Sequence, residues 1–178
     1  MSGNGATREA APRKIGIFAY RSGAMDFRIH GLDPAAFMPL FAMDDVELAA
    51  RRAARTVADS KPGFPCRITL DDAEPGTPVL LLNYEHLPVD SPYRASHAIY
   101  VSAATQPFDA VNVVPTALRT RLLSVRAFDG NGMMVDADVA DGNDLEALVG
   151  RLFASDEVDY LHAHFARRGC FAARIERA

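Results

Sequence analysis

Cysteine and lysine are scarce in this chain. Its 178 residues hold two cysteines, Cys66 and Cys170, and two lysines, Lys14 and Lys61, so arginine supplies 17 of the 19 basic residues. With no C-x-x-C pair, a thioredoxin-type redox site has no local support. Neither lysine closes a G-x-x-x-x-G-K phosphate loop, and Gly130-Asn131-Gly132 lacks the third glycine and the following helix of a dinucleotide fingerprint. H-E-x-x-H and G-x-S-x-G are also missing, which removes the zincin and α/β-hydrolase motifs. No uncharged apolar run approaches the roughly 20 residues that cross a bilayer, so no membrane role is expected. The opening stretch M-S-G-N-G-A-T-R-E-A-A-P-R-K has no apolar core of the kind a secretory signal needs. The cytoplasm is therefore the expected location, and a Cys66–Cys170 disulfide is disfavoured there. A net charge of −4, a pI near 5.7 and the lack of a basic stripe speak against a general nucleic-acid binder.

What is present fits one α+β domain. Hydrophobic content of 49% beside 24% charged residues is that of an ordinary globule long enough to bury a core. Residues 1–24, with only the short apolar patch Ile15 to Tyr20, read as a peripheral extension, and Met25 is an alternative start. Residues 25–178 read as the domain. A first strand is expected at Met25 to Ile29, and Asp33-Pro34 opens a helix running to about Phe41. Asp44 with Glu47 three residues on resembles a capping box, and the apolar stripe Val46, Ala49, Ala50, Ala53 and Val57 predicts a helix over 45–58. Strands follow at 66–70, 79–86, 98–103, 122–128 and 133–139, the last two flanking the turn D-G-N-G. Asn143 with Glu146 caps a helix over 144–154. Hairpin-linked strands with few helices predict a mostly antiparallel sheet carrying two or three helices on one face.

The closing segment holds two of the five histidines. Val158 to Phe165 and Cys170 to Arg177 both alternate, as strands of a hairpin do. A three-residue connection Arg167-Arg168-Gly169 would set Ala166 opposite Cys170, His164 opposite Ala172 and His162 opposite Arg174. That register gathers Leu161, Ala163, Phe165, Phe171, Ala173 and Ile175 on an apolar face. It leaves Tyr160, His162, His164, Cys170, Arg174 and Glu176 on a polar one.

Three chemistries compete for this face. His162-x-His164 spaces two imidazoles to chelate one metal, with Cys170 or the Glu85-His86 pair as further ligands, although Arg174 would oppose a cation. The same histidines beside Cys170 would support thiol chemistry. Cys66-Arg67, Tyr84, Glu85, His86, Tyr93, Arg94, Arg126 and Arg174 would converge as an anion pocket. Internal pairing of the arginines with Asp71, Asp72, Glu85 or Glu176 is the plain alternative, in which the chain is a non-enzymatic interaction module.

The blocks F-R-I-H-G-L-D, P-G-F-P-C-R, L-L-L-N-Y-E-H, S-P-Y-R-A-S-H-A-I-Y-V, L-S-V-R-A-F-D and H-A-H-F-A-R-R-G-C-F-A-A-R-I-E-R-A resemble the bacterial family catalogued as domain of unknown function 1203. The resemblance spans nearly everything after Met25 and implies that residues 1–24 lie outside the shared domain, but it carries no activity. The expected function is binding, and potentially turnover, of a small anionic molecule. In it His162, His164 and Cys170 do the chemistry, and Cys66, Arg67, Tyr84, Glu85, His86, Tyr93, Arg94, Arg126 and Arg174 bind. No cofactor is expected and no residue is assigned to a metal; a metal site at His162 and His164 is the alternative. The residues do not indicate an oligomeric state.

Overall fold

The computed structural model describes residues 25–178, so the extension expected over 1–24, Ile15 to Tyr20 included, lies outside the described residues. Two antiparallel sheets make up the α+β architecture. The larger orders its strands β5 (Asp109–Val111), β1 (Phe27–His30), β9 (Cys170–Arg177), β8 (Tyr160–Phe165), β6 (Leu122–Phe128) and β7 (Met134–Asp141). The smaller orders β2 (Ala53–Val57), β3 (Pro78–Leu87) and β4 (Ala95–Ser102).

Period-two patterning explains the larger sheet. In β6, Leu123, Val125 and Ala127 are buried in one core while Ser124 and Arg126 point to the opposite face. The turn into β7 closes on Asp129, whose Oδ1 accepts the N–H groups of Asn131 and Met133 at 2.9 and 2.8 Å, with Gly132 at φ +76°. Helices α3 (Thr116–Arg119) and α4 (Leu145–Leu152) set Leu118, Leu145, Val149 and Leu152 against that apolar face. A second core joins Leu80, Leu82, Ile99 and Val101 of the smaller sheet to Phe37, Leu48 of α2 (Asp45–Ala50) and Leu40 of α1 (Met38–Phe41). The helices thus divide between two cores instead of covering a single face.

Three elements differ from expectation. The helix expected over 34–41 splits into a 3-10 turn, Pro34–Ala36, and α1, because Pro39 has no N–H to continue a helical ladder. The helix expected over 45–58 stops at Ala50, although Asp44 and Glu47 do form the capping box. Arg52 turns the chain at φ +56°, and residues 53–57 become β2, whose ladder to β3 outweighs the helical propensity of its alanines. Residues 66–70 are not a strand: Leu70 lies at φ +51° and its N–H returns to the carbonyl of Cys66 at 3.0 Å, closing a tight loop. β5 and α3 had no sequence counterpart. The turn before α4 is capped by Asp141, which accepts the N–H of Asn143 at 2.9 Å; Asn143 itself caps nothing.

Candidate functional site

The closing hairpin starts in the expected register, with His162 opposite Arg174 and Ala163 opposite Ala173, and then slips. His164 pairs with Phe171 and Phe165 with Cys170, leaving Ala172 as an extra residue on β9. Two small residues in succession, Ala172 and Ala173, both pack into the core behind the sheet, which is what lets the strand bulge there. The connection is the four residues 166–169, with Gly169 at φ +71°. Phe171 and Cys170 consequently exchange faces. Phe171 joins the histidines, and Cys170, 6 % exposed, turns into the core. The expectation that Cys170 shares the histidine face is corrected by this one-residue slip.

The third imidazole comes from β3, on the same face as Tyr84 and beside a second bulge. On β3, Glu85 pairs with Ser96 and Leu87 with Ala95, so His86 is the unpaired residue between them. It lets His86 and Leu87, consecutive in sequence, both face the larger sheet: Leu87 packs with Phe128 and Tyr160, and His86 meets His162 and His164. The ring centroids of His86 lie 5.8 Å from His162 and 5.2 Å from His164, and Phe171 stacks on His86 at 5.1 Å and 14°.

One nitrogen from each of His86, His162 and His164 lies within 4.8 Å of the other two. His162 and His164 are each 1 % exposed; His86 is half-buried and forms the outer edge of the trio. His164 Nδ1 lies 3.1 Å from the carbonyl of Gly169, so it carries the proton and leaves Nε2 as a bare lone pair. That Nε2, His162 Nδ1 and His86 Nδ1 are buried with no hydrogen-bond partner among the described residues. Burial, before any neighbouring charge, pushes His162 down to about 2, His164 to about 3 and His86 to about 4; Arg126 adds to each shift. All three are neutral at pH 7.

The remaining expected site residues are spread more widely. Arg67, 1 % exposed, donates to the carbonyls of Phe171 (2.8 Å) and Pro65 and lies 3.0 Å from Cys170 Sγ. Cys66 is 1 % exposed, and its Sγ accepts from Ser102 Oγ, Ser102 N and Ile68 N at 3.2 to 3.4 Å. Burial raises the Cys66 thiol, and these hydrogen bonds reverse that to a net lowering. Tyr84 stands between Phe37 and Phe171, and burial raises its pKa. Glu85 and Arg94 pair with each other at 2.6 Å on the surface, and Tyr93 lies edge-on to Phe128. Arg174 bonds Glu176 at 2.6 Å and covers Tyr160 at 3.8 Å. Arg126 lies opposite His162 in the β6–β8 ladder. The pocket expected from the terminal hairpin, Cys66-Arg67, Tyr84 to His86 and Ser91 to Arg94 is brought together only in part: Tyr84 and His86 meet the hairpin at Phe171, while Glu85 and Arg94 pair on the surface. A surface hollow of about 710 Å³ is lined by Arg28, His30, Pro34, Phe108 and Glu176 and by none of the trio. Sequence reasoning missed Phe171 and the Gly169 carbonyl, since both reach the site only through the slipped register.

Among the described residues, no helix is long and apolar enough to cross a membrane. No curated protein and no solved structure matches the chain. A family model described as "Protein of unknown function (DUF1203)" matches residues 63–177, a span that includes all three site histidines but not β1 or β2. Covering more than half of the chain, that match places it in a family: the chain belongs to DUF1203.

Proposed function

We propose that the protein is a metal-binding protein whose centre is His86, His162 and His164, holding a first-row divalent cation and leaving a coordination position open. The observation that carries this reading is the convergence of three imidazoles, one nitrogen of each within 4.8 Å of the other two, each ring also having a buried nitrogen without a hydrogen-bond partner among the described residues. Each orphan of this kind costs about 1–3 kcal/mol, and three at one point are not what mutual satisfaction of polar side chains produces. Neutral imidazoles are the form that ligates, and the Gly169 carbonyl on His164 Nδ1 is the outer hydrogen bond that orients a metal-bound histidine. Nitrogen donors suit zinc, copper, iron and nickel. Three protein donors, rather than four, are the number found where a metal keeps a place for water or substrate. There a cation acts as a Lewis acid or lowers the pKa of bound water.

This reading takes over from a thiol site, because Cys170 faces the core and Cys66 is enclosed by Ser102 and main chain. The test is elemental analysis of protein purified without an affinity tag, followed by titration of the metal-free chain with Zn²⁺ and Co²⁺. One ion per chain is expected, with His162→Ala and His164→Ala each lowering affinity by about a hundredfold or more. Wild-type protein that takes up neither ion, or alanine variants that bind as well as wild type, would overturn it.

A further inference from the structure

We propose that the open position of this centre takes a small oxyanion, a carboxylate or phosphate group, and that Arg126 is its second anchor. The inference rests on the three-histidine metal reading and adds the class of ligand.

Charge balance leads to it. Imidazoles bring no negative charge, and among the described residues no carboxylate joins the trio. The acids on neighbouring strands are already engaged: Glu176 bonds Arg174 at 2.6 Å and stands 3.6 Å from His30, and Glu85 bonds Arg94 at 2.6 Å. A divalent cation here would therefore sit beside a guanidinium with no protein anion to offset either charge, and half-buried charge without a partner is costly. An anion bridging the two removes that cost.

The placement of Arg126 agrees. Val125 and Ala127 pack into the core, so Arg126 projects from the face of β6 that carries the histidines, directly opposite His162. Ser124, opposite His164, adds a half-buried hydroxyl on the same face. Among the described residues, Arg126 is the one strand-borne arginine without a hydrogen-bonded or ion-paired partner. Arg28 holds Asp109, Arg55 the Met43 carbonyl, Arg174 Glu176, and Arg177 the carbonyls of Phe153, Ser155 and Val158. A planar guanidinium with two free N–H edges beside an electrophilic cation matches a ligand group with two oxygens, one for each. The tight enclosure of His162 and His164 limits that group to a small one.

The experiment uses the full chain loaded with Co²⁺, whose visible spectrum reports its ligands, titrated with inorganic phosphate and with acetate. At least one anion is expected to shift the cobalt bands saturably. Arg126→Gln should weaken that anion about tenfold or more with cobalt stoichiometry unchanged, and Arg126→Lys should fall between the two. If cobalt binds but neither anion moves the spectrum, or if Arg126→Gln leaves the affinity unaltered, the anion inference fails while the metal reading stands. A chain that binds no cobalt removes both.

Discussion

The guanidinium of Arg67 is almost wholly buried, yet its donors go to the carbonyls of Pro65 and Phe171 and to Cys170 Sγ, and its Cζ lies 4.9 Å from the ring centre of Phe165. Burial lowers its pKa, and Cys170 is the group that most opposes that shift. Every part of the side chain is thus spent inside the protein, leaving none for a ligand. Its indirect value to the site is larger. By holding the main chain of Phe171 it seats the ring that stacks on His86. Arg67→Met would keep much of the volume but strand two buried carbonyls. The loss should be about 2–4 kcal/mol of stability, read as a lower urea midpoint at unchanged m-value. The same local chemistry has opposite outcomes at Arg67 and Arg126, and residue type could not tell them apart. Burial and partners do.

At the scale of elements, two β-bulges border the site, one at His86 and one at Ala172. A regular β3 would send His86 and Leu87 to opposite faces, and a regular β9 would put Cys170 beside the histidines and Phe171 in the core. Alternation along β6 and β8 was readable because each strand buries one uniform apolar set, and so was the pairing of His162 with Arg174. The slip was not, because it is decided by how two alanines fill space against Leu123, Leu161 and the helices. Deleting Ala172 tests this directly. The ladder would become regular with Phe171 still opposite His164 on the histidine face, so metal uptake should stay within about threefold of wild type and the strand content seen by circular dichroism should be retained. The boundary at Ala50 teaches the same lesson. An alanine-rich stripe reads as helix until an adjacent strand offers it a ladder, as β3 does.

Across the whole molecule, the trio joins the two sheets, with His86 supplied by the smaller and His162 and His164 by the larger. β1 matters at the same scale. Although it precedes the span matched by the family model, it lies between β5 and β9 and contributes Phe27 and Ile29 to the main core. A chain beginning at Gly63 would lose these along with Phe37 and Leu48 of the second core. At about 1.5–3 kcal/mol for each buried side chain, that loss rivals the roughly 5–15 kcal/mol by which a domain is stable. The shortened chain is expected to show no cooperative thermal transition by calorimetry. The sequence by itself determined the α+β class, the antiparallel hairpins, the family, and the presence of two histidines on one strand face, because period-two burial and turn chemistry are local properties. Only the tertiary structure decided that His86 is their partner, that Cys170 is not, and that Arg126 is left without a counter-charge. Those outcomes depend on single-residue slips and on contacts between residues far apart in the chain, such as His86 with His162, where packing rather than local preference sets the lowest free energy.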